Sequence, residues 1–330
     1  MLILAKAILS ITLGLVLGII AGFIVLPFLR KLNARQTVSK TINKRHQLKN
    51  GTPTIGGLIF IFPPLLIMLL LWWKGSIDFN SNLGIVIIVF LAYALLGFAD
   101  DYLKIRAHNN KGIPTLVKLL FQVILAIVFT IIYKKNGGTT ALDISLIDFH
   151  FEMGWGYFLF VLFLLVGTTN AVNITDGLDG LCGGLSIMAF LAYGVIAFGS
   201  TWIMGYDSMA IFSFALVGSI MAFLLFNSYP ARVFMGDTGS LALGGALASI
   251  AILTHHEISL AVIGGVFVVE TLSSLIQIIA IRCFKKKVFP KAPLHHSFEE
   301  LGWSEQDIVK VFWVVGFLLA MFGVVYGVWL

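Results

Sequence analysis

Apolar runs of bilayer length recur along this chain, and no other feature limits its fold so strongly. A helix needs roughly 17 to 25 apolar residues to cross the hydrocarbon core. Runs of this kind lie near 2–29, 56–73, 83–99, 115–133, 155–169, 181–199, 207–226, 240–256, 260–283 and 306–329. The sequence therefore predicts an all-α polytopic membrane protein with about ten transmembrane helices, built as one domain over residues 1–330. Composition agrees: 59% of residues are hydrophobic and 12% charged, and mean hydropathy is +0.99. A soluble core cannot hide that much apolar surface. The first run carries only Lys6 near its start and no small-residue cleavage site, so it reads as a retained span and not as a cleaved leader. Cys182 and Cys283 lie far apart, in or beside spans, and support neither a disulfide framework nor a zinc site.

The net charge of +6 is distributed in a way that argues against nucleic acid as a partner. Sixteen of the 22 basic residues fall in alternate connectors: Arg30 to Lys49, Lys104 to Lys111, Arg232, and Arg282 to Lys291. Positively charged loops stay in the cytoplasm. An even number of spans then leaves both termini outside. The external connector 134–154 holds Asn136-Gly137-Gly138 and alternating residues such as 144–151, a small hairpin by pattern. His255, His256 and Glu257 read as solvated interface residues. Glu270 falls inside the ninth run, where a buried carboxylate needs a partner that the sequence does not name.

Five polar clusters fall on the cytoplasmic side. The densest is Asn170-Ala171-Val172-Asn173-Ile174-Thr175-Asp176-Gly177-Leu178-Asp179-Gly180. Carboxylates at a membrane boundary mark an ion, substrate or proton site by default, although Asp and Asn also cap helix ends in plain connectors. Asp176 and Asp179, three apart, can share one face of a helical turn. In Lys49-Asn50-Gly51-Thr52-Pro53-Thr54-Ile55-Gly56-Gly57, small residues, hydroxyls and backbone N–H groups at a helix start can hold an anion. The same residues serve equally as a turn and N-cap.

Asp100-Asp101-Tyr102-Leu103-Lys104 sets two adjacent carboxylates where the third run ends. Such a pair repels, and suits a divalent metal or a nearby cation; a solvated helix end with an Asp100–Lys104 pair is the plain alternative. In Asn227 to Ser240, Asp237 stands between Gly236 and Gly239 as a metal ligand, and Phe234 can stack on a flat ring. The fifth cluster is Ala292-Pro293-Leu294-His295-His296-Ser297-Phe298-Glu299. Adjacent histidines diverge on a helix, so they suit phosphate donation better than a zinc pair. Hard oxygens without thiolates suit magnesium. No Gly-x-x-x-x-Gly-Lys-Ser/Thr loop and no Gly-x-Ser-x-Gly elbow occurs.

Taken together, these clusters resemble the polyprenyl-phosphate N-acetylhexosamine-1-phosphate transferases, in order and over nearly the whole chain. Thr52-Pro53-Thr54-x-Gly56-Gly57 and Ala292-Pro293-Leu294-His295-His296 resemble the bacterial phospho-N-acetylmuramoyl-pentapeptide-transferase branch. The resemblance implies ten spans and a magnesium-dependent transfer of phospho-MurNAc-pentapeptide from UDP-MurNAc-pentapeptide to undecaprenyl phosphate, giving lipid I and UMP. It places the protein in the bacterial inner membrane with its site facing the cytoplasm, and suggests a homodimer. It implies Asp237 as the metal ligand, with Asp100 and Asp101 at the lipid-phosphate end and Asp100 as candidate base.

The resemblance further assigns Lys49, Asp176, Gly177, Leu178, Asp179 and Phe234 to the uridine pocket and Asn173 and Asn227 to the diphosphate. His295 and His296 would contact diphosphate or sugar, and Thr54, Lys104 and Asn170 would assist substrate binding. One departure stands out: the branch carries three consecutive histidines, and the third position here is Ser297, which cannot carry charge. Two other readings remain. One is a related transferase acting on a UDP-N-acetylhexosamine without a peptide, which the His295-His296 segment disfavours. The other is an ion-coupled secondary transporter, whose carboxylates would gather at the midplane and not at one face.

Overall fold

The computed structural model describes residues 2–32, 34, 51–107, 112–144, 149–199 and 206–329. Among the described residues it contains twelve helices and one two-stranded hairpin. In chain order the helices are α1 (Leu2–Lys31), α2 (Leu58–Trp73), α3 (Ser81–Arg106), α4 (Thr115–Lys135), α5 (Trp155–Thr175) and α6 (Leu181–Gly199). They continue with α7 (Tyr206–Asn227), α8 (Gly236–Leu253), α9 (Glu257–Ile263), α10 (Gly265–Phe284), α11 (Leu294–Glu300) and α12 (Glu305–Trp329). Nine of these are long and apolar enough to cross a membrane; α2, with Pro63 and Pro64 inside it, is a shorter apolar helix. The chain is an all-α polytopic membrane protein, as its apolar runs predict.

Helices α6, α7 and α8 form the buried centre, and α1 and α4 lie outermost. Lipid offers no hydrophobic drive between helices, so close packing rests on small residues that let backbones approach. Gly14, Gly18 and Gly22 make such a stripe on α1, where an added methyl group would strike Ala215, Ala222 and Phe226 of α7. Gly97 does the same between α3 and α8: a Cβ there would sit 2.0 Å from the Asp237 carbonyl oxygen.

Several spans differ from the sequence expectation in ways that matter for the site. Helix α3 runs on past residue 99 to Arg106, and α5 past 169 to Thr175. Their polar ends stay helical because their side chains find partners inside the protein. Helix α8 begins at Gly236, so Asp237 lies in its first turn and not ahead of it. The ninth run starts its span at Gly265 and not at 260, because the helix breaks at Gly264 and leaves α9 as a separate short piece.

The connector between α4 and α5 forms the expected hairpin, β1 (Ala141–Ile144) antiparallel to β2 (Phe149–Glu152), with Ala141 opposite Glu152. Near this end the expectation for Glu257 fails. It is buried, not solvated, and accepts a 2.5 Å hydrogen bond from the Tyr157 hydroxyl. Tyr157 in turn stacks on Tyr133 at 6.0 Å. Burial also holds His256 well below its usual range, at about 4, with the charge of His255 adding to the effect.

Candidate active site

Four helix ends converge on one cluster of charge. The C-terminal turns of α3 supply Asp100, Asp101 and Lys104, the first turn of α4 supplies Lys118, the last turn of α5 supplies Asn173, and the first turn of α8 supplies Asp237. The Lys118 ammonium lies 2.7 Å from Asp237 Oδ2 and 3.8 Å from Asp100 Oδ2. Lys104 lies 2.5 Å from Asp100 Oδ2, 3.2 Å from Asp237 Oδ2 and 3.8 Å from Asp101 Oδ1. Three carboxylates within reach of one another would be unstable alone; here two ammonium groups sit among them. The expected Asp100–Lys104 pair therefore exists, but within this cluster and not on a solvated helix end.

The three carboxylates are held differently. Both oxygens of Asp101 are engaged by the start of α8: Asp237 N–H donates at 3.2 Å, and Thr238 donates through N–H at 2.9 Å and hydroxyl at 2.7 Å. An acceptor at a helix N-terminus satisfies N–H groups that otherwise lack partners and meets the positive end of the helix dipole. Asp101 thus fixes the turn that carries Asp237. Asp100 accepts the Ile113 N–H at 2.8 Å through Oδ1. Gly112 permits this approach, since a Cβ there would lie 2.5 Å from that oxygen.

Asp237 is the most accessible of the three, its side chain 14% exposed against 1% and 2% for Asp100 and Asp101. Its Oδ1 accepts from the Asn173 amide at 2.9 Å, and the same amide donates to Ser240 at 2.8 Å. One turn back on α5, Asn170 donates at 2.8 Å to Gln122, one turn beyond Lys118 on α4. The amides of the 170–180 stretch thus tie α5 to α4 and α8. Thr54 is buried beside Gly236, where a Cβ would meet both Asp101 and the Thr54 hydroxyl. Gly236 also has φ +72°, so two separate demands require glycine there.

Residues 176–180 form a turn between α5 and α6, so Asp176 and Asp179 do not share a helical face. Asp176 is half-buried, whereas Leu178 and Asp179 are buried. Asp179 accepts from the Ala231 N–H at 2.9 Å, and its own N–H donates to Glu305 at 2.7 Å. Asn227 receives the Gly180 N–H at 3.0 Å and donates to the Val233 carbonyl at 2.9 Å. These contacts brace the 228–235 loop against the turn. That loop also pairs with residues 53–57: Phe234 N–H donates to the Pro53 carbonyl at 2.8 Å, and Gly56 N–H to the Phe234 carbonyl at 2.8 Å. Phe234 itself is half-buried. Lys49 lies outside the described residues.

The histidines sit on α11 and diverge as the helix geometry requires. His295 is fully buried and turns to Glu270, which supplies the partner that the sequence did not name: Nδ1 lies 2.9 Å from Oε2. His296 faces Glu299 at 2.6 Å. Burial lowers the His296 pKa from its usual value, Glu299 pulls it back up, and the neighbouring His295 lowers it further. Ser297 donates to the Lys291 carbonyl and accepts the Lys291 N–H at 3.3 Å, clipping the loop ahead of α11. Lys118, Gln122 and Ser240 were not singled out from sequence. Lys118 carried a usable signal, a lone charge within the fourth apolar run.

The ends of four membrane-bundle helices thus gather hard oxygens and ammonium groups at one point. Residues 83–255 match the family model Glycosyl transferase family 4. The phospho-N-acetylmuramoyl-pentapeptide-transferase of Bacillus subtilis strain 168 is 44% identical over 321 residues, covering 97% of this chain and 98% of the relative. That of Geobacillus sp. strain WCH70 is 45% identical over 323 residues, 98% of each. That of Bacillus mycoides strain KBAB4 is 46% identical over 305 residues, 92% of this chain and 93% of the relative. The chain belongs to the phospho-N-acetylmuramoyl-pentapeptide-transferase family, within Glycosyl transferase family 4.

Proposed function

We propose that the chain transfers phospho-MurNAc-pentapeptide from UDP-MurNAc-pentapeptide to undecaprenyl phosphate, releasing UMP and leaving the sugar on the lipid through a diphosphate. The observation that carries this reading is the Asp100–Lys104–Lys118–Asp237 cluster at the ends of α3, α4 and α8, in a chain of this family. Phosphoryl transfer asks a protein mainly to align the attacking and leaving oxygens and to neutralise spread charge. Lys104 and Lys118 supply that charge beside carboxylates that keep them in place.

In this reading an oxygen of the lipid phosphate attacks the β-phosphorus of the nucleotide sugar, and the bond from that phosphorus to the UMP oxygen breaks. Asp100 is the candidate base for any proton on the lipid phosphate, and direct attack needs no phospho-enzyme. Exposed apolar side chains neighbour the cluster residues along the same helices: Phe98, Tyr102 and Leu103 of α3, and Leu116 and Val117 of α4. They suit a prenyl chain arriving from the bilayer. The basic connectors argue for a site at the cytoplasmic face of the inner membrane.

The cluster also fits magnesium, because it offers hard carboxylate oxygens close together and no sulfur. Asp237 would hold the ion, with Asp100 beside it, and the ion would add charge neutralisation at the diphosphate. For the nucleotide, the half-buried Asp176, Gly177 and Phe234 would form the accessible wall; Lys49 belongs to this proposal by sequence alone. Asp179 and Asn227 would brace that wall from behind, Asp179 by accepting the Ala231 N–H and Asn227 by joining Gly180 to Val233, with Leu178 buried beside them. The test is a transfer assay with purified protein, labelled UDP-MurNAc-pentapeptide, undecaprenyl phosphate and magnesium. Label in extractable lipid is expected; label entering lipid only from UDP-GlcNAc would overturn the substrate assignment.

A further inference from the structure

We propose that Glu270 is the positioning residue for His295, fixing which nitrogen of the ring addresses the site. The proposal deepens the transferase reading given above and rests on it for the role of His295. Glu270 is fully buried in α10 and grips His295 twice: Oε1 accepts the His295 backbone N–H at 3.1 Å, and Oε2 lies 2.9 Å from Nδ1. Glu270 already acts as the acceptor of the His295 backbone N–H through Oε1, and in this proposal it plays the same part through Oε2, with the ring proton on Nδ1. The ring is held by its backbone and its near nitrogen at once, which leaves little freedom to rotate.

Nε2 is then the ring atom left to act. It is buried, and among the described residues it has no hydrogen-bond partner. It points at the turn between α5 and α6: a Cβ built on Gly177 would lie 2.4 Å from Nε2. Four residues before Gly177, Asn173 holds Asp237. A histidine whose Nδ1 is anchored on a carboxylate, and whose other nitrogen is kept without a protein partner, is oriented for a ligand.

The test combines a spectrum with kinetics on full-length protein in lipid nanodiscs. In 15N-histidine-labelled wild type, the His295 signal, identified by its loss in His295→Asn, is expected to show a proton on Nδ1. A bare Nδ1 would overturn the proposal, and this spectrum needs no turnover. In Glu270→Gln the amide oxygen takes the backbone N–H and the NH2 group faces Nδ1, so the proton should move to Nε2.

The same variant should lose about 10- to 100-fold in kcat/KM, and Glu270→Asp should recover part of it. The double variant Glu270→Gln/His295→Asn should be no worse than the worse single one, because the two act as a unit. Losses that multiply would overturn the proposal. Absence of transfer by wild type would instead sink the transferase reading while leaving the spectrum to decide on the pair.

Discussion

Lys118 reaches across 119 residues of sequence to place its ammonium group 2.7 Å from Asp237. The contact joins the first turn of α4 to the first turn of α8, and Asn173 from α5 closes it on the other side at 2.9 Å. Neither lysine in the cluster is a surface charge: the side chains of Lys104 and Lys118 are 30% and 18% exposed.

Replacing Lys118 by Met keeps most of the stem and removes the charge. Lys104 still holds Asp237 at 3.2 Å, so the fold should survive. Loss of one preorganised group facing developing charge typically costs about 100- to 1,000-fold in rate. Steady-state kinetics of Lys118→Met should show a fall of that order in kcat, with a thermal midpoint within a few degrees of wild type. Lys118→Arg should not restore the rate, since a planar fork does not substitute for a compact ammonium at such a short contact.

Gly97→Ala should act through packing. The new methyl carbon would lie 2.0 Å from the Asp237 carbonyl oxygen, a backbone atom that cannot turn aside. Overpacking of this kind costs about 1–3 kcal/mol. Thermal unfolding in detergent should show the loss, and turnover should fall with it because α3 and α8 carry the two halves of the charged cluster.

The far end of the bundle should make stability sensitive to acid. Burial holds His256 neutral down to about 4, while an unfolded histidine takes up a proton near 6.5. Below 6.5 the unfolded state binds the proton and the folded state does not, so stability is lost as pH falls from 6.5 towards 4 and is level above. The loss should reach about 2–3 kcal/mol. Thermal midpoints between pH 7 and 4.5 should fall more steeply for wild type than for His256→Gln.

What was legible in the sequence follows from which forces act locally. Spans read well because bilayer thickness sets their length; the departures lie at their ends, in the break at Gly264 and in the short α2. The clusters at 100–104, 170–180, 227–240 and 292–299 were visible because polar residues beside apolar runs stand out. Which partner each side chain takes was not visible. Asp101 and Asp237 look alike in sequence, yet one caps α8 and the other is the most exposed of the three carboxylates. Glu257 looked solvated because its partner, Tyr157, lies 100 residues away. Glu270 found His295 only through the path of α10 after its break.

The most direct measurement is turnover by Asp237→Asn, reconstituted with undecaprenyl phosphate and magnesium. The amide keeps the shape and can still meet Asn173, but it removes the charge that Lys104 and Lys118 face. Transfer should fall at least 1,000-fold, about 4 kcal/mol of transition-state stabilisation, while insertion and thermal unfolding stay near wild type. Turnover within about tenfold of wild type, a loss of roughly 1.4 kcal/mol or less, would contradict a charge cluster centred on Asp237 as the place where the phosphoryl group moves.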